Sequence, residues 1–318
     1  MHWLVVLGLA GCHLVFDLEP APPTPTPPWT QLATGHLHSC GIRADGTLWC
    51  WGGNESGEVG VSSSELQIDG PTQVSPGETW LTVSAAYGHT CAIRTDHSLW
   101  CWGENAQSQL GIGNATSSSQ PQRVGDGWKA VSAGWFHTCG IRDDESLACW
   151  GGNMAGQLGD GGMGARPVPT TIDETSWIAV DTGLYHSCGI KTGGSLWCWG
   201  DNAHGEYGDG TMTTSLVPRE VPGETWTQLA LGVRLTCGLT TADRARCSGD
   251  GSRGTLGNGA TSMTGSFVPV LIDGLEPEWD AIGLTALHAC GITRDGSAWC
   301  WGDDMYWQLG TEIPSGLS

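Results

Sequence analysis

Short stretches in which apolar and polar residues alternate recur along this chain, separated by glycine-rich or polar turns. In one stretch, Trp128-Lys129-Ala130-Val131-Ser132-Ala133 gives way to a break at Gly134-Trp135-Phe136, and His137-Thr138-Cys139-Gly140-Ile141-Arg142 then resumes the pattern. Alternation with a period of two predicts strands, one face of each turned toward a core. A tight loop and a third strand ending in Cys149-Trp150-Gly151 come next, followed by the glycine-rich segment 153–161. A last short strand containing Pro and Val, as in Pro121-Gln122-Arg123-Val124, closes the unit. The pattern begins again at Trp29, Trp80, Trp128, Trp177, Trp226 and Trp279, at intervals of 48 to 53 residues. Six units of four short strands each describe an all-β propeller of six four-stranded blades. The sixth unit reaches Gln308-Leu309-Gly310 without its Pro-Val strand, so closure of the ring is the open part of this expectation.

The units His137-Thr138-Cys139-Gly140-Ile141 and Cys149-Trp150-Gly151-Gly152-Asn153-Met154-Ala155-Gly156-Gln157-Leu158-Gly159-Asp160-Gly161, with their counterparts, resemble the repeats of the regulator of chromosome condensation family of β-propellers. The likeness covers residues 29 to about 310. The family's best-known members have seven blades, which makes an incomplete seven-bladed propeller the alternative architecture. Guanine-nucleotide exchange, the activity of the founding member, is not expected where no large insertion separates the blades.

Removing Cys12 from the 13 cysteines leaves six pairs, each ten positions apart: Cys40 with Cys50, Cys91 with Cys101, Cys139 with Cys149, Cys188 with Cys198, Cys237 with Cys247, and Cys290 with Cys300. A hairpin centred on Asp45 sets Cys40 opposite Cys50, Gly41 opposite Trp49 and Ile42 opposite Leu48, with Gly46 where the loop needs a left-handed residue. Directly opposed Cα atoms lie within disulfide range. One cross-strand disulfide per blade is therefore expected, each stabilising by roughly 2 to 3 kcal/mol in the chain-entropy treatment. Zinc bound by His38, Cys40 and Cys50 is the competing reading, weakened because no fourth ligand recurs. Gly41 is expected to leave room for the Trp49 indole, and these tryptophans to pack between blades.

The ends and the composition set the location. Residues 1–11 form an apolar stretch too short to span a bilayer and read as an export signal. Leu9-Ala10-Gly11-Cys12 resembles the lipobox of bacterial lipoproteins, with Cys12 as the lipidated residue. Residues 12–28 make a Pro-rich linker, and 29–318 the propeller. The expectation is an exported outer-membrane or cell-surface lipoprotein, touching the membrane only through a lipid anchor, with plain secretion as the alternative. A net charge of -20, from 13 Lys and Arg against 33 Asp and Glu, disfavours nucleic acid as a partner.

Five units place a histidine two residues before the first cysteine (His38, His89, His137, His186, His288), and a structural hydrogen bond to nearby backbone is the expected role. The two preceding positions vary freely: His36-Leu37, Tyr87-Gly88, Trp135-Phe136, Leu184-Tyr185, Val233-Arg234 and Ala286-Leu287. They occupy the turn between the first two strands, which should line one face near the axis. Aromatic residues and Arg on such turns suit a protein-binding face. The candidate binding residues are His36, Leu37, Tyr87, Trp135, Phe136, Leu184, Tyr185, Val233, Arg234 and Leu287. Arg219, Arg234, Arg244, Arg246 and Arg253 gather five of the basic residues in and before unit 5, either as a partner contact or as a drifted blade.

No G-x-S-x-G, H-E-x-x-H, P-loop or EF-hand signature is present, and neither a catalytic residue nor a cofactor or metal is called for. A non-catalytic, monomeric binding module with an unknown protein partner is expected. A structural surface protein, or a hydrolase or lyase using the central funnel, are the alternatives. The disulfide reading predicts that reduction raises the intact mass by about 2 Da per bridge. A native zinc adduct with free thiols would refute it.

Overall fold

The computed structural model describes residues 26–271, 274–284, 287–305 and 309. The signal, Cys12 and most of the linker lie outside the described residues. Six antiparallel sheets follow one another along the chain, spanning residues 29–73, 80–125, 128–173, 177–221, 226–269 and 279–302. Five have four strands in sequential order; the sixth has three among the described residues. In blade 3 the strands are Trp128–Ala133, His137–Arg142, Leu147–Gly151 and Arg166–Asp173. Among the described residues no helix is long and apolar enough to cross a membrane.

The hairpin register is the expected one. Cys40 faces Cys50, Gly41 faces Trp49 and Ile42 faces Leu48, and the same pairing holds in the other five blades. All six expected disulfides are formed, each with its Cα atoms 4.1 Å apart. Cys40 is bonded to Cys50, Cys91 to Cys101 and Cys139 to Cys149. Cys188 is bonded to Cys198, Cys237 to Cys247 and Cys290 to Cys300, so every bridge joins the second strand of a blade to the third. The hairpin loop is held by an aspartate: Asp45 Oδ1 accepts from Thr47 N–H (3.0 Å) and from its hydroxyl (2.7 Å). Asp96, Asp144 and Asp295 do the same for a serine backbone two residues on.

One packing expectation is corrected. A Cβ on Gly41 would lie 2.8 Å from the Trp29 ring, and one on Gly189 2.5 Å from Trp177, so the glycine makes room for the first-strand tryptophan of its own blade rather than for its cross-strand partner. The partner Trp49 instead stacks on a cation: the Arg43 guanidinium lies 4.8 Å from the Trp29 ring and 4.4 Å from Trp49. Arg94 between Trp80 and Trp100, and Lys191 between Trp177 and Trp197, repeat the sandwich.

Blades 1 to 5 each present the face bearing the disulfide to the next blade's first-strand tryptophan. Cys40, Ile42, Leu48 and Cys50 pack with Trp80, Val83, Ala92 and Trp102, and the arrangement steps round the ring to Trp279. A single carbonyl anchors the joint. Gln109 C=O, in the glycine-rich loop of blade 2, accepts from the Trp150 indole N–H (2.9 Å) and the Thr138 hydroxyl (2.8 Å) of blade 3. Glu58 C=O takes the same pair of bonds from Trp102 and Thr90, and Gln157 C=O from Trp199 and Ser187. Among the described residues this packing is absent between blades 6 and 1: Trp29 is 38% exposed and Leu32 61%, Ile292 is 47% exposed, while Trp279 in a packed joint is 1% exposed. The fold is thus a six-bladed β-propeller whose contact between blades 6 and 1 is open among the described residues.

Gly111 makes a tight demand at the joint of blades 2 and 3, with φ of 74° and a Cβ position 2.5 Å from Trp150 Nε1. Gly111→Ala should lower stability by at least about 2 kcal/mol. Gly164→Ala, where nothing lies within 4 Å, should stay within about 0.5 kcal/mol. Denaturant unfolding of both variants checks this, and equal midpoints would contradict it.

Candidate binding rim

The recurring histidines form a chain of bonds from blade to blade. His38 Nε2 lies 2.7 Å from the Thr90 hydroxyl, His89 Nε2 2.8 Å from Thr138, His137 Nε2 2.8 Å from Ser187 and His186 Nε2 2.9 Å from Thr236. The first three hydroxyls give their proton to the loop carbonyls already named, so they accept from Nε2–H and fix the neutral tautomer. The partner is therefore a side chain of the next blade, not backbone as expected from sequence. Blade 5 has Leu235 in the histidine's place and blade 6 has Ala289 in the hydroxyl's, and both are buried in one apolar cluster. Replacing donor and acceptor together leaves no polar group stranded. Burial, which penalises the charged imidazolium, lowers His38 and His186 to about 4 and His89 and His137 to about 3. These rings are structural.

The variable turn residues behave differently. His36 stacks on Tyr87 with centroids 4.8 Å apart, Tyr87 on Trp135 at 4.4 Å, and Phe136 on Tyr185 at 5.7 Å; Trp135 meets Phe136 edge-on at 6.4 Å. Five rings from blades 1 to 4 thus form one continuous row, and none is fully buried. Turns bring them together because each begins at a small residue whose N–H bonds the histidine carbonyl, as Gly134 does at 2.9 Å, and neighbouring turns are tied by His36 N–H to Ala86 C=O (3.0 Å) and Trp135 N–H to Gly183 C=O (3.3 Å). Leu37 is exposed beside the row and Leu184 is half-buried.

Val233, Arg234 and Leu287 fall in a second group. With Asp250, Ser252, Arg253 and Thr255 they line a pocket of about 230 Å³ between blades 5 and 6. The ten candidates therefore occupy an aromatic row and an adjoining polar pocket. The structure divides the basic cluster: Arg234 and Arg253 face Asp250 and Asp303 at the pocket, Arg246 pairs with Glu224 and Glu276, and Arg219 lies 3.7 Å from Asp209. Each of these four arginines meets a carboxylate, so no bare basic patch results.

Sequence reading missed the carboxylates of this rim. The residue after each Cys-Trp-Gly or its equivalent is tied by its N–H to the variable turn: Asp201 to Tyr185 C=O (2.8 Å), Asp250 to Arg234 C=O (2.9 Å) and Asp303 to Leu287 C=O (2.9 Å). The available signal was variation at that position, which reads Gly53, Glu104, Gly152, Asp201, Asp250 and Asp303 across the six units. Asp181 was missed too. Its carboxylate accepts from the Ser132 hydroxyl of blade 3 and Leu231 N–H of blade 5, both at 2.7 Å, and burial pushes it up to about 6.

Repeated four-stranded sheets, loop-carbonyl joints and a variable axial rim define a repeat β-propeller. A model of the RCC1-like domain matches residues 7–315, and the chain belongs to that family. It is similar to the human protein RCC2 (37% identical over 83 residues, 26% of this chain and 16% of that protein) and to the ultraviolet-B receptor UVR8 of Arabidopsis thaliana (31% over 97 residues, 30% and 22%). It is also 35% identical over 101 residues to the BTB/POZ domain-containing protein 1 of Schizosaccharomyces pombe, across 30% of this chain and 7% of that protein. The matched segments thus span under a quarter of each of these curated relatives. Among solved structures, human WBSCR16 superposes with a TM-score of 0.82 at 20% identity, covering 91% of this chain and 80% of that one. Yeast RCC1 (Prp20), solved with Kap60 bound, gives 0.79 at 15% identity, covering 90% and 72%. These two show the shared fold.

The neutral histidines make acid a destabilising condition. Their folded pKa values lie below the unfolded value near 6.5, so between roughly pH 6.5 and 3 the unfolded chain binds more protons, and stability is complete above that window and lost as pH falls through it. In His137→Gln the fall in Tm between about pH 6.5 and 4 should be shallower than in the parent. Parallel curves would contradict the assignment.

Proposed function

We propose that this chain is a non-catalytic, exported binding module that takes a protein partner on the axial rim. The row of five ring side chains from four blades carries the reading, because adjoining, partly exposed aromatics are the material of interface hot spots and cost little side-chain entropy to order. The adjoining pocket, with Arg234 and Arg253 held against carboxylates, supplies the polar part of such a surface. Two family observations support a protein as the ligand: the solved yeast RCC1 (Prp20) is bound to Kap60, and Prp20p is described by its binding to Gsp1p and histones. Six disulfides support export, since such bonds persist in oxidising compartments. Lipidation at Cys12 would hold the propeller at the membrane on the Pro-rich linker.

The test compares baits. Protein captured from the native extracellular fraction by the parent and by Val168→Ala, on an outer strand, should be lost from the double variant carrying Trp135→Ala and Tyr185→Ala, with affinity reduced at least roughly tenfold once the partner is purified. Equal capture by all three baits removes the rim from the interface. No specific capture by any of them favours the structural surface role.

A further inference from the structure

The glycine-rich loop after the third strand is built alike in successive blades. Asn54, Asn105, Asn153 and Asn202 each accept from the backbone N–H five residues on. A Glu or Gln then folds back onto a backbone N–H two residues earlier: Glu58 onto Ser56 (2.9 Å), Gln109 onto Gln107 (2.8 Å), Gln157 onto Ala155 (2.9 Å) and Glu206 onto His204 (2.9 Å). A neutral amide does this in blades 2 and 3, so the turn itself does not require a charge at 206.

In blade 4 the charge has company. Glu206 is only 1% exposed, and its second oxygen lies 3.3 Å from His204 Nδ1. Two ligands each about 2.1 Å from one tetrahedral ion stand roughly 3.4 Å apart, so this spacing already suits a shared metal. Asp201, at the start of the same loop and fixed by Ala203 N–H at 3.1 Å, completes a set of three whose ligand atoms all lie within 4.8 Å of one another. Among the described residues it is the one such group of three. The other loops break the set: the position of His204 is Ser56, Gln107, Ala155 and Arg253 in blades 1, 2, 3 and 5. The His204 side chain is 24% exposed, which leaves a route for an ion and for solvent ligands.

We propose that Asp201, His204 and Glu206 bind a divalent first-row transition-metal ion of the zinc type, with water completing the coordination. The His204 imidazole is a borderline nitrogen donor that favours such an ion over calcium or magnesium, which take oxygen ligands, and zinc also accepts the two carboxylate oxygens. Since Asp201 N–H is bonded to Tyr185 C=O, the ion would sit at the end of the aromatic row, where it could also accept a ligand from a partner.

Zinc titrated calorimetrically into the full disulfide-bonded chain, after chelation and dialysis, tests this. One saturable site is expected, weakened at least roughly tenfold by Glu206→Gln and by His204→Ala. Glu206→Gln keeps the turn, because glutamine makes the same backbone bond at 109 and 157. His97→Gln, which removes an exposed histidine 2.7 Å from Asp143, should leave the affinity unchanged. No saturable heat at millimolar zinc overturns the proposal. So does zinc binding equal to the parent in both variants, or calcium binding as tight as zinc and indifferent to His204→Ala.

Discussion

The loop carbonyl that joins blade 1 to 2, blade 2 to 3 and blade 3 to 4 is the contact on which the rest of the structure depends. A propeller blade cannot bury both faces by itself, and its neighbour must approach closely enough to exclude water. Here one carbonyl accepts an indole N–H and a hydroxyl from the following blade, and the hydroxyl in turn receives the preceding blade's histidine. Three groups that would be costly to bury unpaired are thereby satisfied at one point. The glycines of the loop allow the indole to reach it, which is why tryptophan and glycine are both abundant in this chain.

That division of labour frees the turns. The disulfides pin all six hairpins in register, and in blades 1 to 4 a buried neutral histidine ties the hairpin to the next blade, so register does not rest on the two residues before it. They can differ from blade to blade without cost to the ring. Four blades use this freedom for aromatic rings, and the last two for an arginine-bearing pocket lined also by Asp250.

Much of this was legible in the sequence, because the repeat places the same residue types at the same register six times. The Cys pairs ten residues apart, from Cys40 with Cys50 to Cys290 with Cys300, fixed the hairpins, and the irregular positions before His38 and its counterparts pointed to the rim. Contacts between blades were harder to read. Pairings such as His89 with Thr138, or Leu235 with Ala289, join residues about fifty positions apart, and nothing within one unit announces them. The partner of Gly41 was misread for the same kind of reason: register across a hairpin says which residues are opposite, but the first-strand tryptophan fills the space from the other side. The carboxylates of the rim were overlooked because their proximity to the turns depends on backbone bonds that periodicity does not reveal.

The proposed interface requires a rigid axial scaffold that presents its variable turns to a protein. Hydrogen–deuterium exchange of the chain alone and with its captured partner measures this most directly. New protection is expected in the turns at 86–88, 134–136 and 184–185, with the fourth strands unchanged. Protection confined to the fourth strands would contradict it.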